Sequence, residues 1–224
     1  MSAFYFGSVE HYRLLAQHKR VVIDIGEHYE RQSYRTRTGI IGPNGRQDLL
    51  VHIDRRSGEK MPMSSVGLSY VENWPHQHVH AIRSAYGQTP WFIHYIDEIE
   101  ATVLRKYDRL VDLDLATMRL GMKWLGLKTE LVVSENYVDV ESGEWRVAST
   151  IEGDIGRSPL DTRYSVLDLR NIFHPKRPLP RLIEPVPSYP QIFADRHGFI
   201  PRMSIVDLVC NRGPRSMEHL RAGT

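Results

Sequence analysis

The densest group of side chains able to do chemistry lies between Tyr29 and Ile53, in YERQSYRTRTGIIGPNGRQDLLVHI. Arg31, Arg35, Arg37 and Arg46, with Gln32 and Gln47, crowd around a Pro43-Asn44-Gly45 turn. In extended chain, Gln32, Tyr34, Thr36 and Thr38 would face one way and Arg31, Ser33, Arg35 and Arg37 the other. Guanidinium and amide forks on a rigid strand suit a carboxylate or phosphate, because planar donors match two oxygens at once. Gln32, Arg35 and Arg37 are therefore candidate ligands of an anionic substrate. The plainer reading is a solvated strand face with Arg stems laid over apolar surface. Asn44 and Gly45 read first as hairpin formers, since both can take positive φ. Asn44 is counted with the substrate-binding set as well.

His76, His78 and His80 resemble a metal-binding run, but on a helix only His76 and His80 share a face. No Asp, Glu or Cys stands nearby at ligand spacing, which argues against a metal. His78 falls on one helical stripe with Ile82, Ala85 and Tyr86, so its ring points inward. It is either a core histidine satisfied by a backbone carbonyl or a general base. Tyr86 joins the substrate-binding set on the same stripe. Asp24 ends an apolar run, where it is either a catalytic carboxylate at the ligand edge of a sheet or a turn cap. Asp207 follows Ser204 by three residues, the spacing of a capping box. Cys210 reads as a buried small hydrophobe. No phosphate loop, dinucleotide fingerprint or nucleophile elbow is present, so no cofactor is named. The expected site gathers Asp24, Gln32, Arg37, His78 and Tyr86 in one cleft, with His78 and Asp24 as catalytic groups.

These residues need elements to position them. Ala3–Phe6 reads as a short strand, 8–17 as a helix capped by Ser8, and Val21–Ile25 as a buried strand parallel to the first. The Asn44 hairpin follows, then a charged loop over 54–65 and a strand over 66–70. Three helices are expected over 75–86, 90–107 and 115–125, closed by Gly87 and Gly126 at the first and last. Leu131–Val133 reads as a strand. Seven prolines from Pro159 to Pro190 make 153–190 an extended arm that packs through Tyr164, Ile172 and Phe173. A helix over 204–211 ends before Gly213-Pro214. The expected fold is α/β, one domain over 1–224: a small, mostly parallel sheet beginning β-α-β, with a hairpin, three middle helices and a Pro-rich extended arm.

With 224 residues the chain can bury one substantial core. Its 29 basic and 27 acidic residues leave a net charge of +2, too balanced to support nucleic acid as a partner. The lone cysteine excludes an internal disulfide framework. No apolar run approaches a membrane span and the first residues lack a secretory pattern, so a cytoplasmic protein is expected.

Four stretches resemble the WbqC-like protein family. They are VVIDIGEHYERQSYRTRTGIIGPNG, Trp74-x-x-x-His78 with Ala85-Tyr86 and Trp91-Phe92, DLDLATMRLGMKWLGLKTELVVSE, and YPQIFADRHGFIPRMSIVDLVCNRGP. Family members occur in surface-polysaccharide gene clusters, and a glycine transferase role has been proposed for one. The resemblance implies a transferase in cell-surface polysaccharide biosynthesis of the O-antigen type, moving an aminoacyl group such as glycine to a small-molecule or nucleotide-linked sugar. The chain departs from longer members in lacking their Tyr-x-Ser-Gly segment, having the Pro-rich arm there, and in carrying Gly7 where many have Pro. Two alternatives stand beside this reading: a nucleotide-using transferase built on the N-terminal β-α-β, and a non-catalytic sugar- or peptide-binding module. Exposed tryptophans among Trp74, Trp91, Trp124 and Trp145 would favour the module, since such rings stack on sugars.

Overall fold

The computed structural model describes residues 1–54, 60–138, 168–180 and 183–221. Ser8 caps helix α1 (Val9–Ala16), accepting a hydrogen bond from His11 N in place of the missing helical partner. Strand β1 (Arg20–Asp24) follows, then the hairpin of β2 (Arg37–Gly42) and β3 (Gly45–Leu50), and a short antiparallel pair, β4 (Ile53–Asp54) and β5 (Gly67–Leu68). The middle helices are α2 (Trp74–Tyr86), α3 (Ile96–Val103) and α4 (Leu110–Leu125). Strand β6 (Glu130–Ser134) pairs in parallel with β1, Arg20 opposite Glu130 through Asp24 opposite Ser134. Short α5 (Ala194–His197), α6 (Ile205–Arg212) and α7 (Ser216–Arg221) close the chain. The class is mixed α/β, with a small parallel sheet, two antiparallel pairs and several helices.

The partner of β1 is not the one expected. Ala3–Phe6 forms no strand, so the chain does not begin β-α-β; only Met1 meets β1, taking Asp24 N at 3.1 Å and giving to Val22 O at 2.9 Å. Phe4, Tyr5 and Phe6 are buried almost completely. Their backbone groups are satisfied by other segments instead of a ladder. Tyr5 N donates to Tyr34 O at 3.1 Å and Phe6 N to Thr117 Oγ1 at 3.1 Å, while Phe6 O accepts from Thr38 and Ser204 hydroxyls. Phe6 turns with φ 42°. The segment runs through the core, where each large apolar side chain contributes roughly 1.5–3 kcal/mol.

Other boundaries moved for local reasons. The turn of the hairpin is Pro43-Asn44, whose Pro cannot take positive φ; only Gly45 does, at 96°. The second middle helix is shorter than expected because Trp91 N donates to Cys210 O, tying that stretch to α6 ahead of Ile96. The third is longer, since Arg109 precedes it and grips Asp112 with two bonds of 2.8 Å. Of the arm, 153–167 and 181–182, with Tyr164, lie outside the described residues, as does Trp145. The described part holds no helix before Ala194 and lodges Leu169, Phe173, Ile183, Val186 and Tyr189 in the core. Trp74 is buried, Trp124 stacks on Phe6, and half-buried Trp91 covers Gly213.

The capping box expected of Asp207 does not form, because Ser204 N donates to Gly39 O at 2.8 Å. Asp207 turns inward and accepts from Tyr189 Oη at 2.5 Å and Gln191 Nε2 at 2.9 Å, fastening the arm to α6. Burial pushes its carboxyl up from 3.8 to about 6. A raised acid contributes its full stability at low pH and loses it as pH climbs from about 4 to about 6, a change of order 3 kcal/mol. Asp207→Asn should flatten that part of the urea-stability profile between pH 4 and 7. An unchanged slope would contradict the assignment.

Candidate functional site

The Tyr29–Arg37 stretch turns back on itself before β2 starts, so the expected alternation of faces is not realised. Thr36 N donates to Ser33 O, Ser33 Oγ to Glu30 O at 2.7 Å, and Gln32 adopts φ 56°. The reason is Arg35. It is fully buried, and its Nε and Nη2 grip the two oxygens of Glu27 at 3.1 and 2.7 Å. Nη2 also donates to Ser2 Oγ at 2.8 Å and Asn171 Oδ1 at 3.0 Å. Arg35, expected to hold substrate, is instead an internal tie between three segments.

Asp24 is committed in the same way. One oxygen takes Gly26 N and Glu27 N at 2.9 and 3.0 Å; the other takes Val138 N at 3.0 Å and Arg170 Nη1 at 2.6 Å. Four donors on a carboxylate that is 2% exposed make a turn cap and an anchor, which leaves the catalytic role expected of it without a free oxygen. Arg170 also clasps Asp168 and covers the ring of Tyr137. Asp24 and Arg35 thus dock neighbouring residues of the arm, Arg170 and Asn171.

The docked arm meets the loop in a cationic cluster. Arg177 pairs with Glu30 at 3.0 Å, and Lys176 donates to Gln32. Arg202 donates to the carbonyls of His174 and Arg177. Arg37 starts β2 beside them, with Nη1 3.4 Å from Asp48 and a buried Nε that has no partner among the described residues. His174 is the centre: burial first, then Arg177, Arg202 and Arg37, hold its imidazole below the usual range. Its Nδ1 accepts from Lys176 N at 3.1 Å, so the neutral ring carries its proton on Nε2, which can donate. Gln32, Asn171 and Arg202 all have positive φ, at 56°, 58° and 64°. Such strain costs of order 1–3 kcal/mol per residue and collects at binding and catalytic sites. Arg37, Lys176, Arg177 and Arg202 outnumber Glu30 and Asp48, which suits an anion with several oxygens.

The structure therefore brings Gln32 and Arg37 to one place, with Arg35 and Asp24 behind them. It does not bring His78, Tyr86 or Asn44 there. His78 is 4% exposed; Nε2 donates to Leu50 O at 3.1 Å and Nδ1 accepts from Tyr5 Oη at 3.0 Å. Burial lowers it to about 4, and the nitrogen a base would use is occupied, which fits the core reading. Tyr86 Oη accepts from Ile41 N at 3.0 Å, pinning β2 to α2. Asn44 is exposed at the hairpin tip.

His174, Lys176, Arg177 and Arg202 were not among the expected site residues. Their signal was the basic run His174-Pro175-Lys176-Arg177 inside the Pro-rich arm. Asp114 was missed too. It is fully buried beside Arg35, both oxygens without hydrogen-bond partners among the described residues, and burial pushes it well above the carboxylate range. Among the described residues no group of three His, Cys, Asp or Glu could hold a metal ion.

The model of the WbqC-like protein family matches residues 4–219, taking in the loop, both anchors and the cluster. The chain belongs to the WbqC-like protein family. No curated protein and no solved structure matches it. Among the described residues no helix is long and apolar enough to cross a membrane.

Two substitutions separate anchors from ligands. Glu27→Ala leaves the buried Arg35 guanidinium with only the longer 3.7 Å contact to Glu30 for a counter-charge, and should cost about 3–5 kcal/mol in urea unfolding. His78→Ala should cost about 1–3 kcal/mol by orphaning Leu50 O, with anion affinity at the cluster unchanged. Loss of anion binding at full stability would return His78 to the site.

Proposed function

We propose that the chain is a transferase of cell-surface polysaccharide biosynthesis whose cationic cluster holds the anionic part of a nucleotide- or lipid-linked sugar. The observation that carries this reading is the convergence of Arg37, Arg177 and Arg202 on His174. Membership of the WbqC-like family supports it. The group moved is an aminoacyl group such as glycine, with a sugar hydroxyl or amine as acceptor.

The residues have separable tasks in this proposal. Arg177 and Lys176 sit on the exposed side and capture the anion. Arg37, on the rigid hairpin, fixes its orientation through the end of its guanidinium, where Nη1 also reaches Asp48. Neutral His174 donates from Nε2 to an oxygen on which charge develops, and costs no reorganisation because the arm is already docked. Arg202 clamps the His174–Arg177 turn by its carbonyls and adds charge.

A second reading, a non-catalytic sugar-binding module, is favoured by one observation: the two groups expected to move protons, His78 and Asp24, have their acceptor atoms engaged internally. The nucleotide-using alternative loses its basis with the absence of an N-terminal β-α-β.

A thermal-shift screen with nucleoside-diphosphate sugars, aminoacyl donors, inorganic pyrophosphate and free glycans tests the proposal. A ligand that binds only the native state adds about 2.7 kcal/mol at a hundredfold over its dissociation constant. Diphosphate-bearing ligands should stabilise the wild type. Arg37→Ala and Arg177→Ala should each weaken binding about tenfold or more, the loss of one charge-assisted contact. Stabilisation by none of them, or equally in all variants, would overturn the assignment of the cluster. Stabilisation without turnover of any sugar and aminoacyl donor pair would favour the binding module.

A further inference from the structure

The proposed function leaves unused a groove of about 770 Å3 between the outer face of α2 and the tip of the β2–β3 hairpin. Side chains alternate along β3. Arg46 and Asp48, joined at 2.9 Å, point to the side of Arg37 and the cationic cluster, whereas Gln47 points to α2 and lines the groove. The groove and the cluster therefore lie on opposite faces of one hairpin.

Its walls are set before any ligand arrives. Tyr86 Oη holds Ile41 N near the tip, and His78 Nε2 holds Leu50 O near the base, so α2 and the hairpin are fixed at both ends. This gives the two buried residues of the α2 stripe a positioning task. The size falls within the range of about 300–1,000 Å3 typical of small-ligand sites.

The lining decides the chemistry. Gln47, Gln77, His76, His80 and Ser84 supply groups that can both donate and accept, and among the described residues no carboxylate lines the groove. Among the described lining residues the one guanidinium, Arg83, is already paired with Glu100 at 2.5 Å, which leaves no free fixed charge among them. That disfavours a phosphate, which the other face of the hairpin suits better. His76 and His80 stand one turn apart, but no third His, Cys, Asp or Glu completes a metal set among the described residues. Pro43, Val79, Ala81 and Ala85 add apolar surface between the polar groups, and the apolar part of the lining is the larger. Amides, imidazoles and a hydroxyl spaced around C–H-binding patches match a ligand with many hydroxyls and no charge. We infer that the groove binds a neutral saccharide segment, independently of what the cationic cluster holds.

Gly42 offers a direct test. A Cβ there would meet only Gln47 Oε1 at 3.5 Å and Gly45 O at 3.9 Å, ordinary contacts, so a larger side chain would enter the groove without clashing with backbone. Gly42→Val, the surface double variant Gln77→Ala/His80→Ala, Arg177→Ala and wild type would be passed over an array of neutral and phosphorylated oligosaccharides. Thermal midpoints would confirm that each is folded. Neutral oligosaccharides should be retained by wild type and by Arg177→Ala, and about tenfold less by both groove variants. If Gly42→Val fails to fold, the double variant decides. Retention of no neutral oligosaccharide, or equal retention in both groove variants, would overturn the inference. So would retention confined to phosphorylated sugars and lost in Arg177→Ala, which would leave the cluster proposal standing alone. Conversely, pyrophosphate that fails to stabilise the protein while neutral sugars still bind would sink the cluster and spare the groove.

Discussion

Everything around the candidate site depends on one buried ion pair, Arg35 with Glu27. Taking two charges out of water is expensive, and the attraction repays it only with good geometry and satisfied neighbours. Here the geometry is bidentate, and the guanidinium also serves Ser2 and Asn171. Those partners come from the N-terminal segment, the loop before β2 and the arm, which are far apart in sequence. An apolar replacement could fill the same volume, but it could not specify which arm residue docks or in what orientation. Asp24 acts in parallel, collecting the turn after β1, the chain after β6 and Arg170. The anchors are costly and internal, and what they hold in place is the cationic surface beside them.

The hairpin divides the molecule's polar chemistry. On one face are Arg37, Arg46 and Asp48 with the arm; on the other, Gln47 and the outer side of α2. Hydrogen bonds from Tyr86 and His78 fix the second face. The arm, clamped by Arg202 and held at its far end by Asp207, fixes the first. One rigid element with a charged site on one side and a neutral groove on the other would let a protein hold two chemically different ligands.

Residues with local constraints were legible in the sequence. Ser8 and Gly126 end helices because capping depends on a few neighbours, and the β2–β3 hairpin follows from its turn residues. Residues whose role depends on distant partners were not. Ala3–Phe6 has the composition of a strand, yet Thr117, Thr38 and Ser204 satisfy its backbone from elsewhere in the chain. Arg35 and Arg37 look alike in sequence; one is sealed against Glu27 and the other stands at the surface of the cluster. His78 drew attention as an inward-facing histidine, and it is one, but Tyr5 and Leu50 occupy both nitrogens. The basic residues of the arm stayed hidden because a Pro-rich stretch gives no period from which to read where it docks.

The most direct measurement is nitrogen NMR of the His174 imidazole during titration with inorganic pyrophosphate at neutral pH. The account predicts a neutral ring protonated on Nε2, because Nδ1 accepts from Lys176 N and the surrounding arginines oppose a second proton. It predicts that the Nε2 resonance moves and saturates with the anion while the His78 resonances stay still. A His174 signal indifferent to pyrophosphate, with the change appearing at His78 or nowhere, would contradict it.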